Sequence, residues 1–445
     1  MKKLFNILTY IVLVLIVLSF LFTNNLLLGL LAIIISYFIA KDKRINNFTL
    51  FIIIISLIIR ILTIILMNIP QVTDYYLINE AAMKFANNDL SFVNDSYFSM
   101  WPYQLGFTIY EGLIYKIIPN IWVLKILNII YSTLTVLLIY KISKKFTTER
   151  ASRMVSLLYM ILPLPLLLNI TLNNHILSGL LILDATTFLI KKKAKKQDYI
   201  IASILIALAN IIRPESIIIV FSLFIFLLIK SKKKTIKTNA INYLIFISIY
   251  LIITIGTSKL LILTNFNKDG LTNTNPTWKF VLGTNHETCG HYSYEDEVNI
   301  LGNKELQLNT IKERISDPVK LASLATCKIS NYWTLSDFDT VNESYNNKKI
   351  FNIDFNYIKK QVISINSVIY LTTLLMAIIG IIKYRKDMYK NNSILFVIMM
   401  IVTFFVYLLI EIQARYTYFN IISIFIISSY GYEYIFKLLD KKKED

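Results

Sequence analysis

A single carboxylate at the junction of apolar and polar sequence is the first candidate for chemistry. Asp74 comes shortly after the apolar run 49–67 and opens the segment Asp74-Tyr-Tyr-Leu-Ile-Asn-Glu80. A carboxylate held where a membrane span emerges is suited to act as a general base at the membrane surface. The structural alternative is that Thr73 or Asp74 caps a helix that starts at Tyr75. The two roles are compatible.

Three arginines carry a side chain suited to phosphate. Arg213 and Arg415 come at the outer ends of predicted spans, and a guanidinium can grip a phosphate with two parallel hydrogen bonds. Anchoring at the membrane interface is an equal alternative for each of them. Arg60 lies about 10 Å inside its span, where an arginine commonly faces a cavity or an acidic partner. A structural ion pair is the alternative for Arg60.

One later loop contains histidines and cysteines, the residue types that most often bind a transition metal. The spacing of His286, Glu287 and His291 is not that of a helical two-histidine zinc site. Two cysteines, Cys289 and Cys327, cannot form a disulfide framework or a cysteine-based zinc cluster, although a single disulfide between them is permitted outside the cytoplasm. We therefore predict no metal and no cofactor.

Composition limits the elements that can position these groups. The chain has 445 residues, of which 56% are hydrophobic and 17% are charged, and its mean hydropathy is +0.58. These values exclude an ordinary soluble protein. The net charge of +18 would suit nucleic acid or an anionic membrane face. The basic residues form short runs between apolar stretches, which excludes nucleic acid and indicates a multi-pass membrane protein.

The apolar runs predict an all-α protein with about twelve transmembrane helices. The runs are 4–22, 25–40, 49–67, 121–140, 154–168, 176–190, 198–212, 214–230, 241–263, 358–382, 393–411 and 416–437. With both termini cytoplasmic, every basic run falls inside, as the positive-inside rule requires. The segment 264–357 then lies outside, with nine Lys and Arg against twelve Asp and Glu.

The segment Gln104–Ile118 decides whether this topology holds. It is largely apolar, but as a helix it reaches only about 22 Å against a hydrocarbon core of about 30 Å. It also carries Glu111 and Lys116, so we interpret it as an amphipathic helix in the outer interface. The predicted organisation is two N-terminal spans (1–48), a transmembrane core (49–263) with an outer loop (68–120), an extracytoplasmic loop (264–357) and C-terminal spans with a basic tail (358–445).

Several polar segments follow one another at the predicted outer ends of the spans. They are Asp74-Tyr-Tyr-Leu-Ile-Asn-Glu-Ala-Ala, Phe85-Ala-Asn-Asn-Asp89-Leu-Ser-Phe, Trp101-Pro102-Tyr103-Gln104-Leu105-Gly106, Asn210-Ile-Ile-Arg213-Pro214-Glu215, Gly283-Thr-Asn285 with Gly290, and Gln413-Ala-Arg415-Tyr416. Together with the element order, they resemble the C superfamily of integral-membrane glycosyltransferases (GT-C), especially its protein-mannosyltransferase and aminoarabinose-transferase-like branch.

The resemblance implies a GT-C-like fold with interfacial helices in the first large outer loop and a small outer loop domain. It implies transfer of a sugar from a polyprenyl-phosphate donor to a glycan, lipid or protein acceptor on the extracytoplasmic face, with inversion and with Asp74 as the base. A basic residue of the branch is replaced here by Met100 and Trp101, which shifts the predicted phosphate contact to Arg213 or Arg415.

The remaining predictions concern substrate contacts and the competing function. Arg60 is a third predicted phosphate ligand. The predicted substrate contacts are Tyr75, Glu80, Trp101, Tyr103, Gln104, His286 and Tyr416. The alternative function is a membrane transporter or a flippase for lipid-linked sugars, but paired spans broken by Gly or Pro in corresponding halves are not evident.

Overall fold

The protein is described by a computed structural model over residues 2–20, 27–67, 69–335, 349–350 and 353–441. The α-helices are α1 Lys2–Phe20, α2 Leu27–Lys41, α3 Phe48–Leu66, α4 Thr73–Ala86, α5 Ser96–Met100, α6 Leu105–Ile117, α7 Ile121–Lys144, α8 Glu149–Met160, α9 Pro163–Leu168, α10 His175–Leu189, α11 Lys196–Ile212, α12 Ile217–Lys230, α13 Ile236–Leu263, α14 Trp278–Gly283, α15 Tyr294–Ile300, α16 Lys304–Arg314, α17 Pro318–Lys328, α18 Phe355–Asn391, α19 Ile394–Leu409 and α20 Tyr418–Lys441.

The other elements are short. The 3-10 turns are Ser91–Asn94, Pro102–Gln104 and Ala414–Thr417, and Ile329–Trp333 is a π-helical turn. The strands β1 Lys349–Ile350 and β2 Ile353–Asp354 form one antiparallel pair.

The predicted class, an all-α multi-pass membrane protein, is confirmed. Within the part of the chain that the structure describes, five helices are long and apolar enough to cross a membrane; they are Phe48–Leu66, Ile121–Lys144, Ile236–Leu263, Ile358–Asn391 and Ala414–Lys441. The count of twelve spans is not confirmed. The predicted span 154–168 is interrupted between α8 and α9, because Pro163 cannot donate the backbone hydrogen bond that would continue α8. Which side of the membrane each loop faces stays a prediction.

The helix α20 forms the centre of the bundle and α13 lies at its edge. Most side chains of α20 are buried, and it packs closely on α18 at Gly431, where an added Cβ would lie 1.9 Å from the carbonyl oxygen of Met376. Among the apolar side chains of α13 only Phe246 and Tyr250 are buried, and the others are exposed or half-buried. An apolar helix with this pattern is suited to face lipid on most of its surface.

The two outer segments are docked on the bundle by close backbone contacts. Helix α6 meets the end of α11 at Gly106, where a Cβ would lie 1.9 Å from the carbonyl oxygen of Ile211. The segment 264–335, here called the outer domain, meets the C-terminal end of α19. There the buried Lys328 ammonium donates hydrogen bonds to the carbonyls of Leu408 and Ile410, each at 2.9 Å. A cation at a helix C-terminus satisfies its last carbonyls and its dipole.

A disulfide closes part of the outer domain. Cys289 and Cys327 are bonded across 38 residues, which resolves the pairing that the sequence left open. A cross-link of this length lowers the entropy of the unfolded chain and stabilises the folded domain by about 4 kcal/mol. We therefore expect reduction, or Cys327→Ser, to lower the stability of the outer domain by this order. Hydrogen exchange of amides in 281–328 measures it, and equal protection in the reduced and oxidised proteins would contradict the expectation.

Candidate active site

The Asp74 carboxylate is not used as a helix cap. Helix α4 begins at Thr73, and its N-cap residue, Val72, makes no side-chain capping bond. Thr73 has a φ of 50°, a left-handed conformation that is costly for a β-branched residue and that is commonly found where function constrains the backbone. The Asp74 side chain is exposed in the first turn of α4, so its oxygens remain accessible.

Proline fixes the position of Arg213. The residue before a proline is disfavoured in the helical region, and Arg213 is accordingly extended (φ −151°, ψ 120°), which ends α11 before Pro214. The guanidinium pairs with the Glu215 carboxylate and donates to Asn174 Oδ1 at 3.0 Å. Only 14% of the Arg213 side chain is exposed. The arginine is therefore held in one place and is not a loose interfacial anchor.

The turn that carries Arg415 is positioned by the outer domain. The chain between α19 and α20 forms two backbone bonds with that domain, from the Glu411 amide to the Lys279 carbonyl at 2.7 Å and from the Ile412 amide to the Gly290 carbonyl at 3.0 Å. The Lys279 ammonium also pairs with the Glu411 carboxylate. A 3-10 turn, Ala414–Thr417, follows directly.

Three positive side chains from separate parts of the chain meet at the ring of Tyr416. The distances to the ring centroid are 5.0 Å from Arg213 Cζ, 5.5 Å from Arg415 Cζ and 5.5 Å from Lys279 Nζ. The face of an aromatic ring attracts cations. The Arg415 guanidinium also lies 5.6 Å from the ring of Tyr75, the neighbour of Asp74. Asp74, Arg213 and Arg415, which the sequence analysis placed in one site, are therefore brought together.

The electrostatic surroundings of Asp74 combine both signs of charge. Loss of water raises the pKa of the Asp74 carboxyl, while the positive charges of Arg415 and Lys279 lower it and those of Glu411 and Glu297 raise it; the net effect is a raised pKa. The side chain is nevertheless exposed. The Asp74 carboxyl is therefore accessible to solvent although protein surrounds it on several sides, which indicates that it lies in a concave part of the surface. A base of this kind is poised closer to neutral pH than an ordinary aspartate.

Four of the predicted substrate contacts lie at or beside this concavity. Tyr75 and Tyr416 flank the arginines. The pKa of Tyr103 is raised by burial and lowered by the charge of Lys279, which places Tyr103 near that lysine. Gln104 donates to the Tyr97 hydroxyl at 3.2 Å and accepts from Asn174 at 3.5 Å.

The other predicted residues have their main contacts away from Tyr416, although the ring of Trp101 lies 6.2 Å from that of Tyr103. Trp101 packs against the apolar cluster of Trp278, Val281 and Leu282. Glu80 lies towards Tyr115. Burial is the main cause of the raised pKa of Tyr115, and the charge of Glu80 raises this pKa further. His286 contacts the carbonyl of Arg314 through Nε2 at 3.0 Å within the outer domain. These contacts do not bring Glu80 or His286 to the Tyr416 ring.

Arg60 occupies the interior of the bundle and not the candidate site. Its side chain is fully buried, with Nε donating to Ser132 Oγ at 2.7 Å and Nη1 donating to Ser56 Oγ at 2.7 Å. The bond to Ser132 joins α3 to α7, and the bond to Ser56 lies within α3. Its partners among the described residues are hydroxyl and carbonyl groups, so the carboxylate partner considered from the sequence is not found there.

Three further residues contribute to the site without having been predicted from the sequence; they are Lys279, Asn174 and His175. His175 stacks on Tyr416 with ring centroids 5.9 Å apart and planes inclined by 18°. The polar triplet Asn173-Asn174-His175 between two predicted spans, at the same outer level as Arg213, was a usable signal. Nothing in the local sequence distinguishes Lys279. Among the described residues, no group of three or more His, Cys, Asp and Glu side chains is placed to hold a metal ion.

Comparison with known proteins adds a family match over about a third of the chain. Residues 110–257 match the family described as dolichyl-phosphate-mannose-protein mannosyltransferase. This match confirms the resemblance to the GT-C superfamily. No curated protein matches the chain.

One solved structure shows some similarity to this GT-C-like chain. It is the archaeal oligosaccharyltransferase AglB from Archaeoglobus fulgidus, in complex with an inhibitory peptide and a dolichol-phosphate. The TM-score is 0.49 and the sequence identity is 14%, over 91% of this chain and 52% of AglB. The chain thus spans about half the length of AglB.

Proposed function

We propose that this chain is an inverting glycosyltransferase that moves a sugar from a polyprenyl-phosphate donor to an acceptor hydroxyl on the extracytoplasmic face. The observation that carries the proposal is the meeting of Arg213, Arg415 and Lys279 at Tyr416, beside the accessible carboxylate of Asp74. The family match over residues 110–257 supports the same reaction class. We also propose that the chain divides into four parts, with boundaries after residues 48, 263 and 357.

The charges around Tyr416 suit one phosphodiester. Glu215 pairs with Arg213 and Glu411 pairs with Lys279, so these two carboxylates offset two of the three cations. The guanidinium groups of Arg213 and Arg415 are suited to bind the single negative charge of a phosphodiester with paired hydrogen bonds. Preorganised cations of this kind also stabilise the second negative charge that develops on the phosphate when it leaves.

A membrane-embedded donor needs an apolar path beside the phosphate site. A cavity of about 270 Å³ lies between the outer ends of α11 and α13, next to Tyr103 and Pro214. Its wall combines apolar side chains, among them Ile211 and Ile255, with polar ones, among them Ser258 and Lys259. We expect the first isoprene units of the donor to occupy this cavity.

In the proposed reaction, Asp74 accepts the proton of the acceptor hydroxyl as its oxygen bonds to the anomeric carbon. The bond between that carbon and the phosphate oxygen breaks, and polyprenyl phosphate leaves as a monoester. The monoester is a stable leaving group, so a separate general acid is not needed. Attack from the face opposite the phosphate inverts the anomeric carbon.

The acceptor is expected to enter from the side of the outer domain. Tyr292, which is 44% exposed, belongs to that domain, and burial and the charge of Asp74 both raise its pKa. Its hydroxyl donates to the Glu297 carboxylate. An exposed ring with a neighbouring carboxylate can contact both the face and the hydroxyls of an acceptor sugar, or a polar peptide.

The assay that tests the function uses the purified full chain and a panel of polyprenyl-phosphate sugars. We expect release of free polyprenyl phosphate from at least one donor in the presence of acceptor. A donor that moves across a vesicle membrane with its sugar still attached would favour the flippase and overturn the proposal. A boiled sample is the matched control for spontaneous hydrolysis.

A further inference from the structure

We infer that the N-terminus of α10 is part of the donor's phosphate site, with His175 as a direct phosphate ligand. The inference rests on the proposed function and adds a residue that the sequence analysis did not single out. It starts from a buried imidazole that has no hydrogen-bond partner.

The unpartnered imidazole is the first observation. His175 is only 4% exposed, and neither of its ring nitrogens has a hydrogen-bond partner in the described part of the chain. A buried polar group without a partner destabilises a protein, and each such group needs an explanation, for example a missing ligand. Every neutral imidazole carries one N–H donor. His175 therefore offers a donor that the folded chain by itself leaves unused.

The location of this imidazole indicates the charge of the ligand. His175 stacks on Tyr416, and the positive charges of both Arg213 and Arg415 act on it. Two nearby guanidinium groups exclude a cationic ligand and favour an anion. A neutral imidazole beside these cations adds a hydrogen-bond donor without adding a further positive charge.

The N-terminal end of α10 also favours an anionic ligand. His175 is the first residue of α10, a helix of 15 residues, and the positive dipole end at a helix N-terminus favours phosphate. The His175 amide already donates to Asn173 Oδ1 at 3.2 Å, so the attraction for phosphate comes from the helix dipole and not from that amide. The preceding residue, Asn174, makes no capping bond to α10 and instead accepts from Arg213 at 3.0 Å. The arginine is thus tied to the same helix end.

A second unpartnered group lies on the Arg415 side of Tyr416. The Tyr75 hydroxyl is buried and has no hydrogen-bond partner among the described residues, and Arg415 lies 5.6 Å from its ring. Around Tyr416 the chain therefore supplies two guanidinium groups, an imidazole and a phenol. These are four donor groups, of three chemical kinds, for the oxygens of one phosphate.

The test compares two histidines by substitution with phenylalanine, which keeps an aromatic ring and removes the N–H. His175→Phe is the test variant and His286→Phe is the matched control, since His286 lies in the outer domain on a backbone carbonyl. The probe is citronellyl phosphate, a short prenyl phosphate monoester, added to the full chain in detergent. Its affinity and the melting temperature without it are measured for each variant.

We expect His175→Phe to weaken binding of the probe about tenfold, the effect of one hydrogen bond to a charged group. Without the probe, its melting temperature should equal or exceed that of the wild type, because an unpartnered polar group is replaced by an apolar ring of similar shape. His286→Phe should keep wild-type affinity, and His175→Gln, which restores an N–H donor, should recover part of the binding.

The possible failures are distinguishable. Wild-type affinity in His175→Phe, with lower affinity in Arg213→Ala, would overturn the inference about His175 and leave the proposed function standing. Lower affinity together with a lower melting temperature would assign His175 a packing role only and would also overturn it. Absence of binding by the wild-type chain would overturn both the inference and the phosphate site.

Discussion

Replacement of Asp74 by asparagine is expected to abolish sugar transfer and to leave donor binding close to that of the wild type. Asparagine has nearly the same shape but does not accept the hydroxyl proton, and loss of a general base lowers rates by about 10²–10⁴-fold. Initial rates of polyprenyl-phosphate release measure the effect. Asp95→Asn is the matched control, because Asp95 is another exposed carboxylate of the same predicted outer loop.

The pH dependence of the wild-type enzyme follows from the same carboxylate. The base acts only when it is deprotonated, and loss of water raises the pKa of Asp74 above that of an ordinary aspartate. Activity should therefore fall on acidification at a higher pH than an unperturbed aspartate would give. Arg415→Ala removes a charge that lowers this pKa and should move the fall to still higher pH. Retained turnover in Asp74→Asn would remove Asp74 as the base.

Substitution of the arginines at Tyr416 should have the second largest effect. Arg213→Ala and Arg415→Ala are each expected to weaken donor binding about 10–100-fold, since each removes a hydrogen-bonding cation from a charged ligand. Direct binding of a polyprenyl-phosphate sugar measures this without turnover. Arg213→Lys should restore only part of the affinity, because lysine keeps the charge but not the bidentate geometry.

An arginine far from the site provides the control for these substitutions. Arg44 is exposed and pairs with Asp42, so Arg44→Ala should retain wild-type donor affinity. Surface ion pairs contribute little to stability, and the variant should also fold normally. Wild-type donor affinity in both Arg213→Ala and Arg415→Ala would contradict the phosphate assignment.

Local patterns allowed a good prediction of the transmembrane elements and of some site residues. Apolar runs long enough for helices do not depend on distant contacts, because a chain in lipid must satisfy its own backbone hydrogen bonds. The positions of Asp74, Arg213 and Arg415 at the ends of such runs could be predicted for the same reason. Glu80 was a weaker choice, since six residues turn a helix by roughly 240° and place it on a different face from Asp74.

Local patterns did not predict the groups whose roles depend on a partner from elsewhere in the chain. Lys279 reaches Tyr416 only because the outer domain pairs with the turn at Glu411, and that docking in turn depends on Lys328 and on Gly290. Arg60 is also an arginine in a predicted span, and the sequence does not distinguish it from a phosphate ligand. Packing nevertheless places its side chain between α3 and α7.

The sequence alone determined that this is an α-helical membrane protein, where most of its apolar helices lie, and where a carboxylate and two guanidinium groups leave the apolar runs. Those properties follow from local hydrophobicity and charge. Only the tertiary structure decided that Lys279 and His175 join these groups at Tyr416 and that Arg60 and His286 do not. The physical reason is that convergence depends on backbone contacts between segments over 100 residues apart, and hydrophobic periodicity contains no information about such contacts.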